Sequence, residues 1–248
     1  MNAVRLLVVT AVTAERDAAA RGLDATAPPR PHPLPGHRMV RTTGHGVPRP
    51  VRADLVAAGV GPAAAAAATG AALTAAALWR EPYDLVIAAG IAGGFAPVAD
   101  LGGVVVADRV VAADLGAETA DGFLPVDALG FGTTVHTCAP RLGAAVARAL
   151  GAVHAPVLTV STATGTTESA AALRHRHQDA AAEAMEGFGV AEAAAAHGVP
   201  LLEIRTVSNT VGARDRAAWR IPEALAALRD TFAVLRTVLD RAAPPPYM

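Results

Sequence analysis

The stretch "DLVIAAGIAGGF", residues 84–95, joins an apolar run to three closely spaced glycines. An uninterrupted apolar run is typical of a strand that is buried on both faces, as in a parallel sheet. Glycines at the carboxyl end of such a strand let backbone N–H groups approach a ligand closely, and open α/β sheets bind ligands at that edge. The stretch therefore predicts a strand at Leu85–Ala89 followed by a glycine turn. A ligand-binding turn and a plain tight turn fit these residues equally well.

The spacing of these glycines argues against two phosphate-binding motifs. It is not the G-x-G-x-x-G of dinucleotide-binding folds, and the Lys and Ser/Thr of a P-loop are missing. A dinucleotide-dependent oxidoreductase is therefore only a weak alternative.

Apolar, β-rich runs alternate with helical patterns on both sides of this stretch, which predicts an α/β fold with a mostly parallel sheet covered by helices on both faces. The last helix is the clearest, because Leu and Phe recur at spacings of three and four. This stripe consists of Leu225, Leu228, Phe232, Leu235 and Leu239. The other predicted helices are Ala14–Gly22, Pro62–Trp79, Pro140–Leu150, Glu168–His175 and Gly187–His197. The predicted strands are Arg5–Val12, Ala53–Ala58, Leu85–Ala89, Gly103–Ala112, Val157–Ser161 and Leu201–Ser208.

One segment interrupts the alternation. Residues 24–50 are rich in Pro, Arg, His and Gly, and they are interpreted as an irregular excursion or a short edge hairpin. Strand-like patterning resumes directly afterwards, so this segment is not a domain linker. The simplest expectation is a single domain that spans residues 1–248.

Composition favours a small-molecule partner. The 248 residues are 52% hydrophobic and 17% charged, with a formal net charge of −1, so neither disorder nor nucleic-acid binding is indicated. All 21 basic residues are Arg, which excludes a Schiff-base or lysine-nucleophile mechanism. Cys138 is the only cysteine, so no internal disulfide can form, and we expect a cytoplasmic protein.

Two segments imitate targeting signals. "VRLLVVTAVTAE", residues 4–15, weakly resembles a secretory signal but equally suits a buried first strand. "GPAAAAAATGAALTAAALW", residues 61–79, is uncharged over nearly a membrane length. Alanine carries little apolar area, so a close-packed buried helix is the better interpretation, and we expect no membrane association.

Three polar residues stand at the ends of predicted strands or helices. Glu15 follows the first strand, where it is either a first-turn acid favoured by the helix dipole or a general base. Glu186 lies in "AMEGFGVA", residues 184–191, among small and apolar side chains. A carboxylate there needs hydrogen-bond donors, which a ribose diol would supply; a solvated helix acid is the alternative. Asn209 follows the strand "LLEIRTVS" and is either a turn residue or a functional one.

Taken together, the order and spacing of these motifs resemble the nucleoside phosphorylase and nucleosidase superfamily. Within it, "EAMEGFGVA" and "SNTVGARDRAAW" are similar to the futalosine hydrolases, relatives of the methylthioadenosine/S-adenosylhomocysteine nucleosidases. The resemblance thins at residues 24–50 and 120–155. It implies a three-layer α/β/α domain with a mixed, mostly parallel sheet. It also implies hydrolysis of the N-glycosidic bond of futalosine, with release of hypoxanthine, in menaquinone biosynthesis.

The resemblance implies roles at the sugar and at the water. Glu186 would accept hydrogen bonds from the ribose 2′- and 3′-hydroxyls, with Met185 packed against the sugar. Glu15 would orient and deprotonate the attacking water. Ala92 and Gly93 would line the nucleoside pocket. Ser161 would lie near the base, although a plain strand-terminal hydroxyl is equally consistent with its position.

Asn209 departs from the relatives that act on adenine nucleosides, which have Asp at this position. An amide cannot serve as a comparable acid, but its NH₂ can donate to O6 or N7 of a 6-oxopurine. The amide therefore favours hypoxanthine as the base. The 5′ extension of futalosine ends in an aryl carboxylate, for which Arg214, Arg216 and Trp219 are candidates, unless they form a solvated charged turn.

Several alternatives remain open at this point. "AAGIAGGFAP" has no Arg to hold a phosphate, which favours hydrolysis, yet Arg109 or Arg205 could enter the site and make the protein a purine nucleoside phosphorylase. A methylthioadenosine/S-adenosylhomocysteine type of nucleosidase and a non-catalytic nucleoside-binding protein are the others. No metal or cofactor is expected. The resemblance alone implies a homodimer.

Overall fold

Strand β5, Leu85–Gly94, lies inside a large sheet and pairs in parallel on both sides, with strands from opposite ends of the chain. The computed structural model describes residues 3–23, 27–44 and 50–241. The other strands are β1 Val4–Thr10, β2 Arg30–Leu34, β3 His37–Gly44, β4 Val51–Ala57, β6 Val104–Ala112, β7 Gly116–Thr119, β8 Gly122–Pro125, β9 Val135–Thr137, β10 Val153–Thr159, β11 Ala182–Ala184 and β12 Leu201–Thr210. The helices are α1 Thr13–Leu23, α2 Pro62–Leu78, α3 Pro140–Leu150, α4 Thr167–Arg176, α5 Gly187–Ala196 and α6 Ile221–Arg241.

The main sheet has the strand order β11-β10-β6-β12-β5-β1-β4-β3-β2, with β9 beside β6. Parallel pairing joins β4, β1, β5 and β12, and also β6, β10 and β11. The antiparallel contacts are the β2–β3–β4 edge, β6 with β9, and β6 with β12. In addition, β11 pairs antiparallel with β5, so this end of the sheet closes on itself through β5, β12, β6, β10 and β11.

Helices cover both faces of the sheet. The apolar stripe of α6 is buried with α1 and α3 against one face, and α2 packs with α5 against the other. The expected α/β class, with a mixed sheet between helical layers, is confirmed. The stripe at Leu228, Phe232, Leu235 and Leu239 is buried as the spacing of three and four predicts.

The expected glycine turn after residue 89 is wrong, because β5 continues as a strand through Gly94. Gly93 pairs with Asn209 on one side and with Glu183 on the other. These partners are far away in the sequence, so local turn chemistry could not reveal them. Asn209 likewise lies inside β12 and not in a turn after it.

The structure also settles the other interpreted segments. The part of residues 24–50 that the structure describes contains the hairpin β2–β3, which pairs with β4 at the edge of the sheet; residues 24–26 and 45–49 lie outside the described residues. Residues 4–10 form β1, in the middle of the sheet. The alanine-rich segment forms α2 and packs on α5. Among residues 3–23, 27–44 and 50–241, no helix combines the length and apolarity that a membrane crossing requires.

Candidate active site

Six of the residues predicted to act on the water, the sugar or the base line one cavity of about 270 Å³ at the carboxyl ends of β1, β5 and β12. They are Glu15, Ala92, Gly93, Met185, Glu186 and Asn209. Two larger cavities lie elsewhere, one beside the β7–β8 hairpin and one along β2 and β3. We favour the smaller cavity because polar groups from distant parts of the chain converge there, which is characteristic of ligand sites.

The carboxylate of Glu15 is held in a fixed orientation by backbone donors. Its Oε2 accepts from the N–H groups of Ala11 and Val12 at 3.0 and 3.1 Å, and its Oε1 accepts from the N–H of Ile91 at 2.9 Å. Gly90 permits this approach, since a Cβ there would lie 2.6 Å from Oε1. Burial raises the pKa of Glu15, while the Ile91 N–H bond opposes the increase. A carboxylate with a raised pKa that is held in one orientation is well placed to take a proton.

A buried guanidinium, that of Arg205, pairs with Glu186. Glu186 precedes α5, and its Oε2 accepts from Arg205 at 3.1 Å, while its Oε1 accepts from the Gly61 N–H at 3.4 Å. Arg205 also donates to Glu203 Oε1 at 2.8 Å. Both Arg205 and Glu203 are completely buried. The protein therefore supplies part of the hydrogen-bond shell that the sequence analysis assigned to a ribose diol.

Glu203 is a residue that the sequence analysis missed. Glu203 and Arg205 are two apart in a strand that is almost entirely buried, so their side chains share one face of β12. This E-x-R pattern could have predicted the pair. Burial raises the pKa of Glu203, and Arg205 opposes that increase. Gly187 makes room for this carboxylate, since a Cβ there would lie 2.4 Å from Glu203 Oε1.

The amide of Asn209 is oriented by its neighbours. Its Oδ1 accepts from the hydroxyl of Ser208 at 2.9 Å, and its Nδ2 donates to the Thr210 carbonyl at 3.2 Å. An amide nitrogen carries two hydrogens, so one N–H remains for a ligand. A Cβ at Gly93 would lie 2.8 Å from Val211 Cγ2 and 3.2 Å from Nδ2, and the glycine therefore leaves room for both side chains.

Glu183 is a second carboxylate that the sequence analysis missed, and it lines the cavity. Glu183 is buried in β11, and its Oε1 accepts from the Thr164 N–H at 2.8 Å. The Thr164 hydroxyl donates to its other oxygen. Burial raises the pKa of Glu183, and both bonds from Thr164 oppose the increase. No periodic pattern marks this residue, because its position depends on how β11 pairs with β5.

The remaining candidates divide between this cavity and other places. Arg214 and Trp219 line the cavity, with the guanidinium carbon 5.2 Å from the indole centroid. Arg216 lies outside the lining, in a short 3₁₀ turn. Ser161 is exposed, and its backbone N–H donates to Asp114 Oδ2 at 2.6 Å; it is not among the lining residues, so the geometry does not support the role predicted for it.

Comparison with known proteins assigns the chain to a family. The family model described as "Phosphorylase superfamily" matches residues 5–242. A futalosine hydrolase of Streptomyces coelicolor is 60% identical over 97% of this chain and 99% of its own length. A futalosine hydrolase of Acidothermus cellulolyticus is 49% identical over 94% of this chain and 90% of its own length.

Solved structures share the fold at low sequence identity. A mutant futalosine hydrolase of Helicobacter pylori superposes with a TM-score of 0.78 at 15% identity and covers 94% of this chain and 98% of its own. A methylthioadenosine/S-adenosylhomocysteine nucleosidase of Colwellia psychrerythraea, in complex with adenine, superposes with a TM-score of 0.77 at 22% identity, covering 96% of both chains. By sequence and by fold, this chain belongs to the phosphorylase superfamily and, within it, to the family of the futalosine hydrolases.

Proposed function

We propose that this protein hydrolyses the N-glycosidic bond of futalosine and releases hypoxanthine, as a step of menaquinone biosynthesis. The observation that carries the proposal is the meeting of Glu15, Glu186 and Asn209 in one cavity, in a chain that is 60% identical to a futalosine hydrolase. Each of the three supplies one function that the reaction requires.

The reaction separates charge between the two halves of the substrate. The bond between C1′ and the purine nitrogen breaks, its electron pair leaves with the base, and positive charge develops on the ribose ring. Arg205 forms ion pairs with Glu186 and Glu203, and its charge also acts on Glu15, so three carboxylates surround one buried guanidinium. This excess of negative charge is in place before the bond breaks, and it therefore stabilises the positive charge that develops on the sugar.

Water is the nucleophile in this proposal. Glu15 accepts a proton from the water as the water oxygen attacks C1′, and the three backbone N–H groups keep the carboxylate aimed at one position. Glu186 accepts from the ribose diol with the lone pairs that Arg205 and Gly61 leave free, and Met185 lies next to it in the cavity wall. Asn209 donates to the purine and stabilises the negative charge that develops there. The departed base then takes up a proton from solvent and Glu15 releases its proton to solvent, so one water is consumed for each hypoxanthine released.

The arrangement favours hydrolysis over phosphorolysis. The cation of Arg205 is already shared between Glu186 and Glu203, and Arg109 lines a different cavity. A phosphate at the position of the water would also lie close to the carboxylates of Glu15 and Glu186, and like charges repel strongly where water is excluded.

The wall near Asn209 suits the 5′ extension of futalosine. Arg214 and Trp219 offer a cation and an aromatic face next to each other. We assign to Arg214 the aryl carboxylate of the substrate, because a guanidinium binds a carboxylate through two parallel hydrogen bonds. The exposed side chain of Val60 adds an apolar surface at the cavity mouth.

Release of the free base tests the function directly. The protein is incubated with futalosine, with and without inorganic phosphate, and hypoxanthine is followed by chromatography. We expect hypoxanthine at the same rate in both conditions. Release only with phosphate would make the protein a phosphorylase, and binding without release would make it a nucleoside-binding protein.

Three broader properties belong to the same proposal. We infer a single domain over residues 1–248, because one sheet receives strands from both ends of the chain. The chain is cytoplasmic, in line with the free, buried thiol of Cys138. It forms a homodimer, for which the exposed apolar side chains around the β7–β8 hairpin offer a surface. These side chains are Leu115, Leu124, Leu129 and Phe131.

A further inference from the structure

The closure of the sheet places Glu183 and Asn209 on either side of one glycine. In the pairing of β11 with β5, Glu183 lies opposite Gly93, and in the pairing of β12 with β5, Asn209 lies opposite the same Gly93. Residues directly opposite each other in a sheet project to the same face. A Cβ on Gly93 would lie 2.8 Å from Val211 Cγ2 and 3.2 Å from Asn209 Nδ2, and all three residues line the cavity, so this shared face is the face of the cavity.

Gly93 therefore has a polar side chain on each side of it in the sheet. Strands are about 4.8 Å apart, so the Cα atoms of Glu183 and Asn209 are separated by about 10 Å across Gly93. A planar base held between the two side chains, next to Val211, would have one edge towards each of them. All three residues line the same cavity as Glu15 and Glu186.

The two flanking groups differ in the hydrogen bonds they can make. An ionised carboxylate only accepts, with about four lone-pair positions, and Thr164 uses one on each oxygen of Glu183. Positions therefore remain for a donor in the cavity. Asn209 has its oxygen engaged by Ser208 and retains an N–H to donate.

We propose that Glu183 determines base specificity by accepting the N1–H of a 6-oxopurine, while Asn209 donates to O6 or N7 of the same base. This inference rests on the proposed function and extends it to a residue outside the catalytic chemistry. In a 6-oxopurine, N1–H and N7 lie on opposite sides of O6, as the two side chains lie on opposite sides of Gly93. In a 6-aminopurine, N1 is an acceptor, and its lone pair would face the carboxylate without a proton between them.

The test is the ratio of kcat/KM for futalosine to kcat/KM for its 6-amino analogue. The wild-type ratio should favour futalosine. In Glu183→Gln the amide can turn its NH₂ towards N1 of the amino analogue, so we expect the ratio to fall by about 10- to 100-fold. Glu168→Gln, at an exposed site on α4, is the matched control and should keep the wild-type ratio.

A second variant separates recognition of the base from support of the loop at Thr164. Thr164→Val removes a hydroxyl donor to Glu183 but leaves the carboxylate, so it should lower kcat/KM for both nucleosides by a similar factor. If Glu183→Gln also lowered both equally and left the ratio unchanged, Glu183 would only hold the loop and the proposal would be overturned.

Equilibrium binding keeps the inference separate from the proposed activity. Hypoxanthine should bind the wild-type protein at least about 10-fold more tightly than adenine, and Glu183→Gln should reduce that preference. The comparison of the two bases on the wild-type protein requires neither turnover nor a variant. Equal binding of the two bases would overturn the role of Glu183. If hypoxanthine is preferred but no base is released from futalosine, the proposed function fails and the inference about Glu183 stands.

Discussion

Glu15 illustrates how much of a residue's role depends on its surroundings. The sequence places it after the first strand, and that position alone allows both a helix-dipole acid and a base. The structure adds three backbone N–H donors, nearly complete burial and a glycine that clears its approach. Of these features only the glycine, Gly90, can be seen in the sequence. Why a glycine is needed there becomes clear only when the structure shows Glu15 beside it.

Replacement of Glu15 by Gln should separate binding from chemistry. The amide keeps the size of the side chain but cannot accept a proton from water, so kcat should fall by about 10²- to 10⁴-fold. Binding of hypoxanthine, measured by calorimetry, should change little because Glu15 does not contact the base in our proposal. A variant with near-normal kcat would remove Glu15 from the mechanism.

The raised pKa of Glu15 gives a prediction about pH. Glu15 acts only when ionised, so kcat/KM should fall as the pH drops through its pKa. Because burial raises that pKa, the fall should begin at higher pH than for an ordinary glutamate. A rate profile across the acid and neutral range, at constant ionic strength, measures this midpoint. An acid limb in the ordinary carboxyl range, with the protein still folded, would contradict the assignment.

At the level of single residues, the sequence alone singled out Glu15, Glu186 and Asn209, which line one cavity, but it did not single out Glu183 or Glu203. Glu203 was accessible in principle from the E-x-R pattern in a buried strand. Glu183 was not, because its place beside Gly93 follows from the antiparallel pairing of β11 with β5. Ser161 was placed near the base by resemblance, and the structure instead leaves it exposed outside the cavity lining.

At the level of elements, periodicity predicted the long helices and buried strands to within a few residues. Helix α3 was predicted at its observed bounds, because Pro140 opens it and a left-handed Gly151 ends it. The short strands β7, β8, β9 and β11 were missed, since three or four residues are too few to show an alternation. The glycines of β5 misled for a different reason: they serve close packing, not a turn.

Two glycine substitutions in neighbouring helices should have opposite effects on stability. Gly187→Ala, at the start of α5, would put a Cβ 2.4 Å from a carboxylate that is fully buried and paired with Arg205, so Glu203 cannot easily move aside. We expect a loss of about 1–3 kcal/mol in the free energy of unfolding.

Gly70→Ala, inside α2, is the matched control. A Cβ there meets no atom within 4 Å, and alanine restricts the unfolded chain, so we expect a gain of about 0.4–1 kcal/mol. Urea denaturation followed by circular dichroism measures both variants. A neutral Gly187→Ala would mean that the contact with Glu203 relaxes without strain.

At the level of the whole molecule, the sequence predicts the fold class but not that one end of the sheet closes on itself. Alternating patterns indicate an α/β sheet with two helical layers, and the structure has them. No pattern indicates that β11 returns to β5, because that pairing involves only two residues on each strand. The base-recognition site proposed above depends on this pairing of β11 with β5.

The proposed homodimer gives a prediction about assembly. Phe131 is 68% exposed, and backbone hydrogen bonds link its segment through Val126 to Leu115, so these apolar side chains form one surface. Phe131→Asp should shift the wild-type dimer towards monomer in light scattering, since a charge in an apolar interface is strongly unfavourable. Leu78→Asp, at a residue 79% exposed at the end of α2, is the control and should stay dimeric. A wild-type monomer would refute the dimer itself.

The burial of Cys138 has a practical consequence. The thiol is completely covered, and burial raises its pKa, so it stays protonated and unreactive while the chain is folded. Since it is also the only cysteine in a chain without lysine, a maleimide dye has a single place to attach and gains access to it only when the surrounding core opens. The rate of dye incorporation would therefore report how often the native protein opens, with no engineered label required.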